Sequence, residues 1–184
     1  MMQGLPVHEW AELDTDKITF SPQLLDYCKV NACGKYNRSW TCPPACGTME
    51  EQKKNILLHR KALVFTTKHE LEDSFDYEGM NRGRDLHTNL TIDIGKSFAR
   101  ILEAGGFSVY GAGSCPICSG KDEGACAGNF VARCAFPDPC PHPDEKIGSI
   151  EAAGIDVTEL SKAAKIAYNN GPNTVTYFSM ITYN

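Results

Sequence analysis

The chain has 184 residues, 42% of them apolar, and a formal net charge of -5. That length and apolar content suit one compact domain with a real core, which excludes a fold that depends on disulfide staples. The acidic balance argues against a nucleic-acid surface, and no uncharged apolar run approaches the roughly 18 residues of a membrane span.

Trp10 to Phe20 reads as a strand or hairpin leading into a short helix from Pro22 to Tyr27. Met49 to Arg60 reads as a helix, with Thr48 as its N-cap and Glu50 and Glu51 in the first turn, where carboxylates suit the helix dipole. Lys53, Lys54, Arg60 and Lys61 read as a solvated basic face. Ala62 to Thr67 is the next strand. From Asp85 to Ala104, the residues Leu86, Leu90, Ile94, Phe98, Ile101 and Leu102 recur at three- and four-residue steps, the stripe of a helix buried on one side. Gly105 and Gly106 supply a stop, and Phe107 to Tyr110 is a short strand that delivers the chain into Cys115. Asp144 to Ala153 and Thr158 to Asn169 read as helices, Asn170-Gly171-Pro172 as a breaker, and Thr174 to Thr182 as a last strand.

The expected fold is therefore α/β: a single domain over residues 1–184, with a mixed sheet flanked by helices and two cysteine-rich metal-binding loop regions, 28–46 and 115–140. No internal repeat, heptad or low-complexity tract interrupts it.

Nine cysteines is well above ordinary usage yet below the density of a small disulfide scaffold. The stretch from Met1 to Phe20 is broken by His8, Glu9, Glu12, Asp14 and Asp16 and so lacks the apolar middle of a secretory signal, which makes the cytoplasm the expected location. Thiols clustered in a reducing compartment point to metal ligation or redox chemistry.

The first window spells Cys28-x4-Cys33-x8-Cys42-x3-Cys46. Four thiolates complete a tetrahedral metal site or the corners of a 4Fe–4S cube. Zinc knuckles usually present paired Cys-x2-Cys ligands, and this window has none, so the wider spacing fits a cluster better. Pro43 and Pro44 stiffen the loop, and Tyr36 and Trp40 either shield a cofactor from water or simply fill core.

The second window spells Cys115-x2-Cys118-x7-Cys126-x7-Cys134-x5-Cys140, five candidates for four positions. Cys115, Cys118, Cys134 and Cys140 are the expected ligands, with Cys126, in a glycine-rich stretch, as the alternative. Cys42-Pro43, Cys115-Pro116 and Cys140-Pro141 share the Cys-Pro step that ends bacterial ferredoxin motifs, although the tight repeated spacing of those motifs is absent. Cys115-Pro116-Ile117-Cys118 is also the pair a thiol–disulfide oxidoreductase uses. His142 is a candidate ligand or donor beside Cys140, whereas His8, His59, His69 and His87 show no metal spacing. No phosphate-binding glycine loop is present.

Cys28-x4-Cys33, the run from Tyr36 to Pro44, Cys134-Ala135-Phe136-Pro137-Asp138-Pro139-Cys140-Pro141-His142-Pro143, the run from Ser149 to Val157, and the ending from Gly171 to Tyr177 closely resemble the predicted metal-binding family named domain of unknown function 2284. The resemblance implies a cytoplasmic protein whose cysteines hold metal, and it supplies no reaction. That family usually places a third cysteine soon after the Cys-x2-Cys pair, whereas here residues 119 to 133 intervene. The expectation is a small redox protein with two 4Fe–4S clusters serving a partner protein; a zinc-bound structural module and a thiol–disulfide oxidoreductase using Cys115 and Cys118 are the alternatives.

Overall fold

A computed structural model describes Met2 and residues 4–102, 106–118 and 134–184. The candidate ligand Cys126 and the stop residue Gly105 lie outside the described residues.

Among the described residues, five strands form one mixed sheet: β1 (Trp10–Asp14), β2 (Lys61–Glu70), β3 (Phe107–Gly111), β4 (Ile147–Ser149) and β5 (Thr174–Tyr183), in the order β1-β2-β5-β3-β4. All neighbours in it are antiparallel except β3 and β4, which run parallel with Val109 opposite Ile147 and Gly111 opposite Ser149. Accompanying it among the same residues are the helices α1 (Gln23–Val30), α2 (Met49–Leu57), α3 (Tyr77–Ala99) and α4 (Val157–Ala164).

Side chains alternate across a strand, so each strand feeds two faces. Ala62, Val64, Tyr110, Phe178 and Met180 point to one core, shared with Ile56 of α2, Ile150, Ile155 and Leu160 of α4. Leu63, Phe65, Val109 and Ile181 point to the other, against Leu90, Ile94 and Phe98 of α3. Because both faces are covered, β2 is buried continuously from Ala62 to Thr67, which is why its first four buried residues, Ala62 to Phe65, form an apolar run without alternation.

A polar chain crosses this core. The Thr91 hydroxyl donates to the His87 carbonyl at 2.9 Å, which leaves Ser179 to donate to Thr91 at 2.7 Å and the His87 Nε2–H to donate to Ser179 at 2.8 Å. His87 Nδ1 then accepts from Thr67 at 2.9 Å, and Thr67 in turn faces His69 Nε2 at 2.9 Å. Burial, with His69 a smaller contributor and the Phe178 backbone opposing, drops the His87 pKa to about 4, so the ring sits neutral. His59 is likewise buried and meets Thr182 at 2.7 Å. These two histidines hold strands together.

The mixed α/β single domain with a helix-flanked sheet matches the sequence expectation, and several segments differ in detail. Trp10–Phe20 is a strand only to Asp14, followed by a 3₁₀ turn at Thr15–Lys17, and it pairs with distant β2 rather than with itself. α1 runs on to Val30 and so carries Cys28. α3 begins at Tyr77, eight residues before Asp85, because the Asp76 carboxylate caps it by accepting the Gly79 N–H at 2.7 Å. Gly83 lies so close to β2 that a Cβ there would sit 2.7 Å from the His69 ring. α3 also stops at Ala99, ahead of the glycines.

Asp144–Ala153 is not a helix. It holds a 3₁₀ turn at Pro143–Glu145 and then β4, because Ile147 to Ser149 finds its backbone partners on β3. α4 ends at Ala164, where Lys165 adopts a left-handed conformation, rather than continuing to Asn169. Among the described residues no helix is long and apolar enough to cross a membrane.

Candidate metal centres

The first window is folded by its own short-range hydrogen bonds. α1 ends where Asn31, at φ +57°, returns its N–H to the Cys28 carbonyl at 3.0 Å, and the Asn31 side chain accepts the Tyr36 N–H at 3.0 Å. Asn37, at φ +54°, donates to the Pro43 carbonyl at 2.8 Å and folds the loop back on itself. Asparagine tolerates this left-handed backbone better than most residues. Cys42 donates to the Ser39 carbonyl and Cys46 to the Cys42 carbonyl, so consecutive turns present both thiols. The segment closes at α2, where Thr48 and Glu51 form a reciprocal capping box and the Gln52 side chain donates to the Cys46 carbonyl.

The four thiols of this window act on one another. Cys42 is buried, Cys33 exposed, and Cys28 and Cys46 lie between. Burial pushes the Cys42 thiol up to about 12, opposed by a hydrogen bond from the Ser39 hydroxyl and reinforced by Cys33, Cys46 and Cys28. Burial also raises Cys46 to about 11, opposed by a backbone hydrogen bond and reinforced by Cys28. Cys28 is raised by burial first and then by Cys33 and Glu151. Thiolates at Cys28, Cys42 and Cys46 would thus form against burial first and the field of neighbouring thiols second, a penalty that a bound cation removes. Cys28, Cys33 and Cys42 also line a cavity of about 800 Å³, whose other walls include Tyr36, Glu151 and Tyr177.

The second group is assembled by the sheet. β3 ends at Gly111 and releases the chain toward Cys115, while Cys134 and Cys140 precede β4. The parallel pairing of β3 with β4 brings the two ends of this crossover together. The Ile147 N–H, at the first residue of β4, points at Cys115 Sγ at 3.4 Å. Cys115, Cys118, Cys134 and Cys140 line one small cavity with Ser39, Trp40, Thr41 and His142. Burial raises the Cys115 thiol, opposed by the Ile117 and Ile147 backbone and reinforced by Cys118 and Cys140. Cys118 is raised by desolvation, then by Cys140 and Cys134. An activated redox nucleophile needs the opposite shift, so these surroundings do not by themselves activate the Cys115–Cys118 pair. His142 faces Glu145 at 4.0 Å on the exposed side.

All eight described cysteines are free. Among the described residues, no group of three or more His, Cys, Asp or Glu side chains stands ready-made to hold a metal ion. The structure therefore gathers the thiols into two neighbourhoods without presenting a finished single-ion cage. Their chemistry fits a thiophilic metal, with four thiols in each neighbourhood.

The two neighbourhoods adjoin, which the spacing of the cysteines does not reveal. The Trp40 indole donates to the Asp138 carbonyl at 2.9 Å, and its ring meets Phe136 edge-on at 5.1 Å. The Cys115 N–H donates to the Thr41 hydroxyl at 3.0 Å. Trp40 is thus a clasp between the windows, a role distinct from shielding or core filling. No signal in the sequence pointed to it, because that Ser39 and Thr41 are buried, and so require partners, follows only from the fold.

The family model described as predicted metal-binding protein, domain of unknown function 2284, matches residues 11–182. No curated protein and no solved structure matches the chain.

Proposed function

We propose, for a chain that belongs to the domain of unknown function 2284 family of predicted metal-binding proteins, that each thiol group holds an iron–sulfur cluster and that the protein exchanges single electrons with a partner protein. The observation that carries this reading is the pair of thiol neighbourhoods: Cys115, Cys118, Cys134 and Cys140 line one cavity, and burial first and neighbouring thiols second oppose ionisation of Cys42 and Cys115. Cys28, Cys33, Cys42 and Cys46 would hold the first cluster, and Cys115, Cys118, Cys134 and Cys140 the second, both of the 4Fe–4S type.

A bound cluster supplies a one-electron couple whose potential is set by hydrogen bonds to sulfur, burial and net charge. This chain contributes to each of those. The Ile147 N–H is directed at Cys115 Sγ and stabilises negative charge on sulfur. Burial of Cys42 limits water at the first group, whereas exposed Cys33 offers an edge at which a partner can approach. Free thiols of this kind persist in a reducing compartment, which favours the cytoplasm.

The wide first-window spacing and the Cys-Pro steps support iron–sulfur over a structural zinc module. Anaerobic purification tests the choice. The expected protein is brown, absorbs near about 400 nm, bleaches on reduction and carries about eight iron atoms with matching sulfide. A colourless protein with stoichiometric zinc rejects it in favour of the structural module.

A further inference from the structure

The two thiol groups are separate in sequence but joined in space by the segment from Ser39 to Cys42. Ser39 is 1% exposed and Thr41 and Cys42 are each 7% exposed, so their polar atoms must find partners inside the protein. The partners form a chain. The Cys115 N–H donates to the Thr41 hydroxyl at 3.0 Å, the Thr41 and Ser39 hydroxyls are 3.3 Å apart, and the Cys42 N–H donates to the Ser39 carbonyl at 3.1 Å. The segment that presents the Cys42 thiol is thereby tied through two buried hydroxyls to the backbone that presents Cys115. Beside the chain, the Trp40 indole grips the Asp138 carbonyl at 2.9 Å and packs edge-on to Phe136, between Cys134 and Cys140.

We infer that Trp40 and Thr41 are positioning residues that assemble the second metal site against the first, so that the two sites load as a coupled pair. Resting on the metal-binding reading of both groups, the inference adds which residues transmit order between them. Thr41 fixes the backbone of Cys115, and Trp40 fixes the segment that carries Cys134 and Cys140. Formation of the first site immobilises Cys42, and with it Ser39, Trp40 and Thr41. Linkage makes the effect mutual, because any factor by which the first site's metal tightens the second applies equally in reverse.

The test measures metal content of the full chain as purified anaerobically, and the rate at which EDTA removes it. Cys28→Ser leaves the second group as the intact one, and Cys118→Ser leaves the first. Thr41→Val keeps the shape and removes the acceptor; Thr41→Ser restores it. In the Cys28→Ser background, Thr41→Val and Trp40→Phe are expected to weaken metal retention about 10- to 100-fold, the range usual for groups that orient ligands. Thr41→Ser is expected to retain metal as its parent does. In the Cys118→Ser background, Thr41→Val should change retention far less. Equal effects in both backgrounds, or no effect in the Cys28→Ser background, overturn the inference. A wild-type chain that carries no metal overturns the metal-binding reading itself, and a variant that loses its native circular dichroism is replaced by Trp40→Phe, whose lost donor lies outside the core.

Discussion

The first thiol group is drawn from one continuous stretch, Cys28 to Cys46, whereas the second is gathered from the two ends of a crossover between β3 and β4. The first is shaped by asparagine turns, consecutive cysteine turns and a helix cap, all within reach of neighbouring residues. The second exists only because a parallel strand pair returns Ile147 to the side of Cys115. A site built locally should tolerate damage to the sheet, and a site built by topology should not.

The largest effect is expected at Ile147, which is 4% exposed, opens β4, packs against the α3 face and points its N–H at Cys115 Sγ. Ile147→Ala should cost roughly 2–5 kcal/mol in urea denaturation, the usual range for emptying a buried aliphatic site. It should also speed EDTA removal of metal from the second group more than from the first; equal losses from both would break the comparison.

Acid should act on the sheet through His87. Its folded pKa of about 4 lies below the ordinary histidine value, so the unfolded chain binds the extra proton first as pH falls. The stability that His87 contributes is complete above about pH 6.5 and is lost progressively toward pH 4, by about 3 kcal/mol in all. Urea midpoints of chelator-treated protein across that window check the sign, and a flat profile rejects it.

The smallest effect sharpens the local side of the comparison. Thr48→Ala removes half of the capping box that starts α2 directly after Cys46 and Gly47. The expected cost is about 1 kcal/mol in urea denaturation, with metal loss accelerated more at the first group than at the second. Loss from the second group instead would mean that α2 supports the crossover.

Much of the fold was legible because the signals were local. The apolar stripe of α3, the Thr48 cap and the buried run of β2 each correspond to an observed element. The opening turns of α3 were not legible, since Gly79 and Gly83 are poor helix formers; they are glycine where Asp76 and His69 press against the helix. β4 was misread because Asp144 and Glu145, followed by Ile147 and Ile150 three residues apart, imitate the start of an amphipathic helix. Parallel pairing to β3 overrode that pattern, and Gly148 clears space for the Tyr110 ring, which would lie 2.7 Å from a Cβ there.

By itself, the sequence determined that the cysteines fall into two windows, because thiol identity and spacing belong to the chain. It also determined the α/β character, which follows from periodicity. Only the tertiary structure decided that Cys115 meets Ile147, that Trp40 reaches Asp138, and that Thr41 bridges the two windows. Those contacts join residues far apart in the chain, and they arise from strand order and from the need of buried donors to find acceptors. Neither of these is written in the spacing of cysteines.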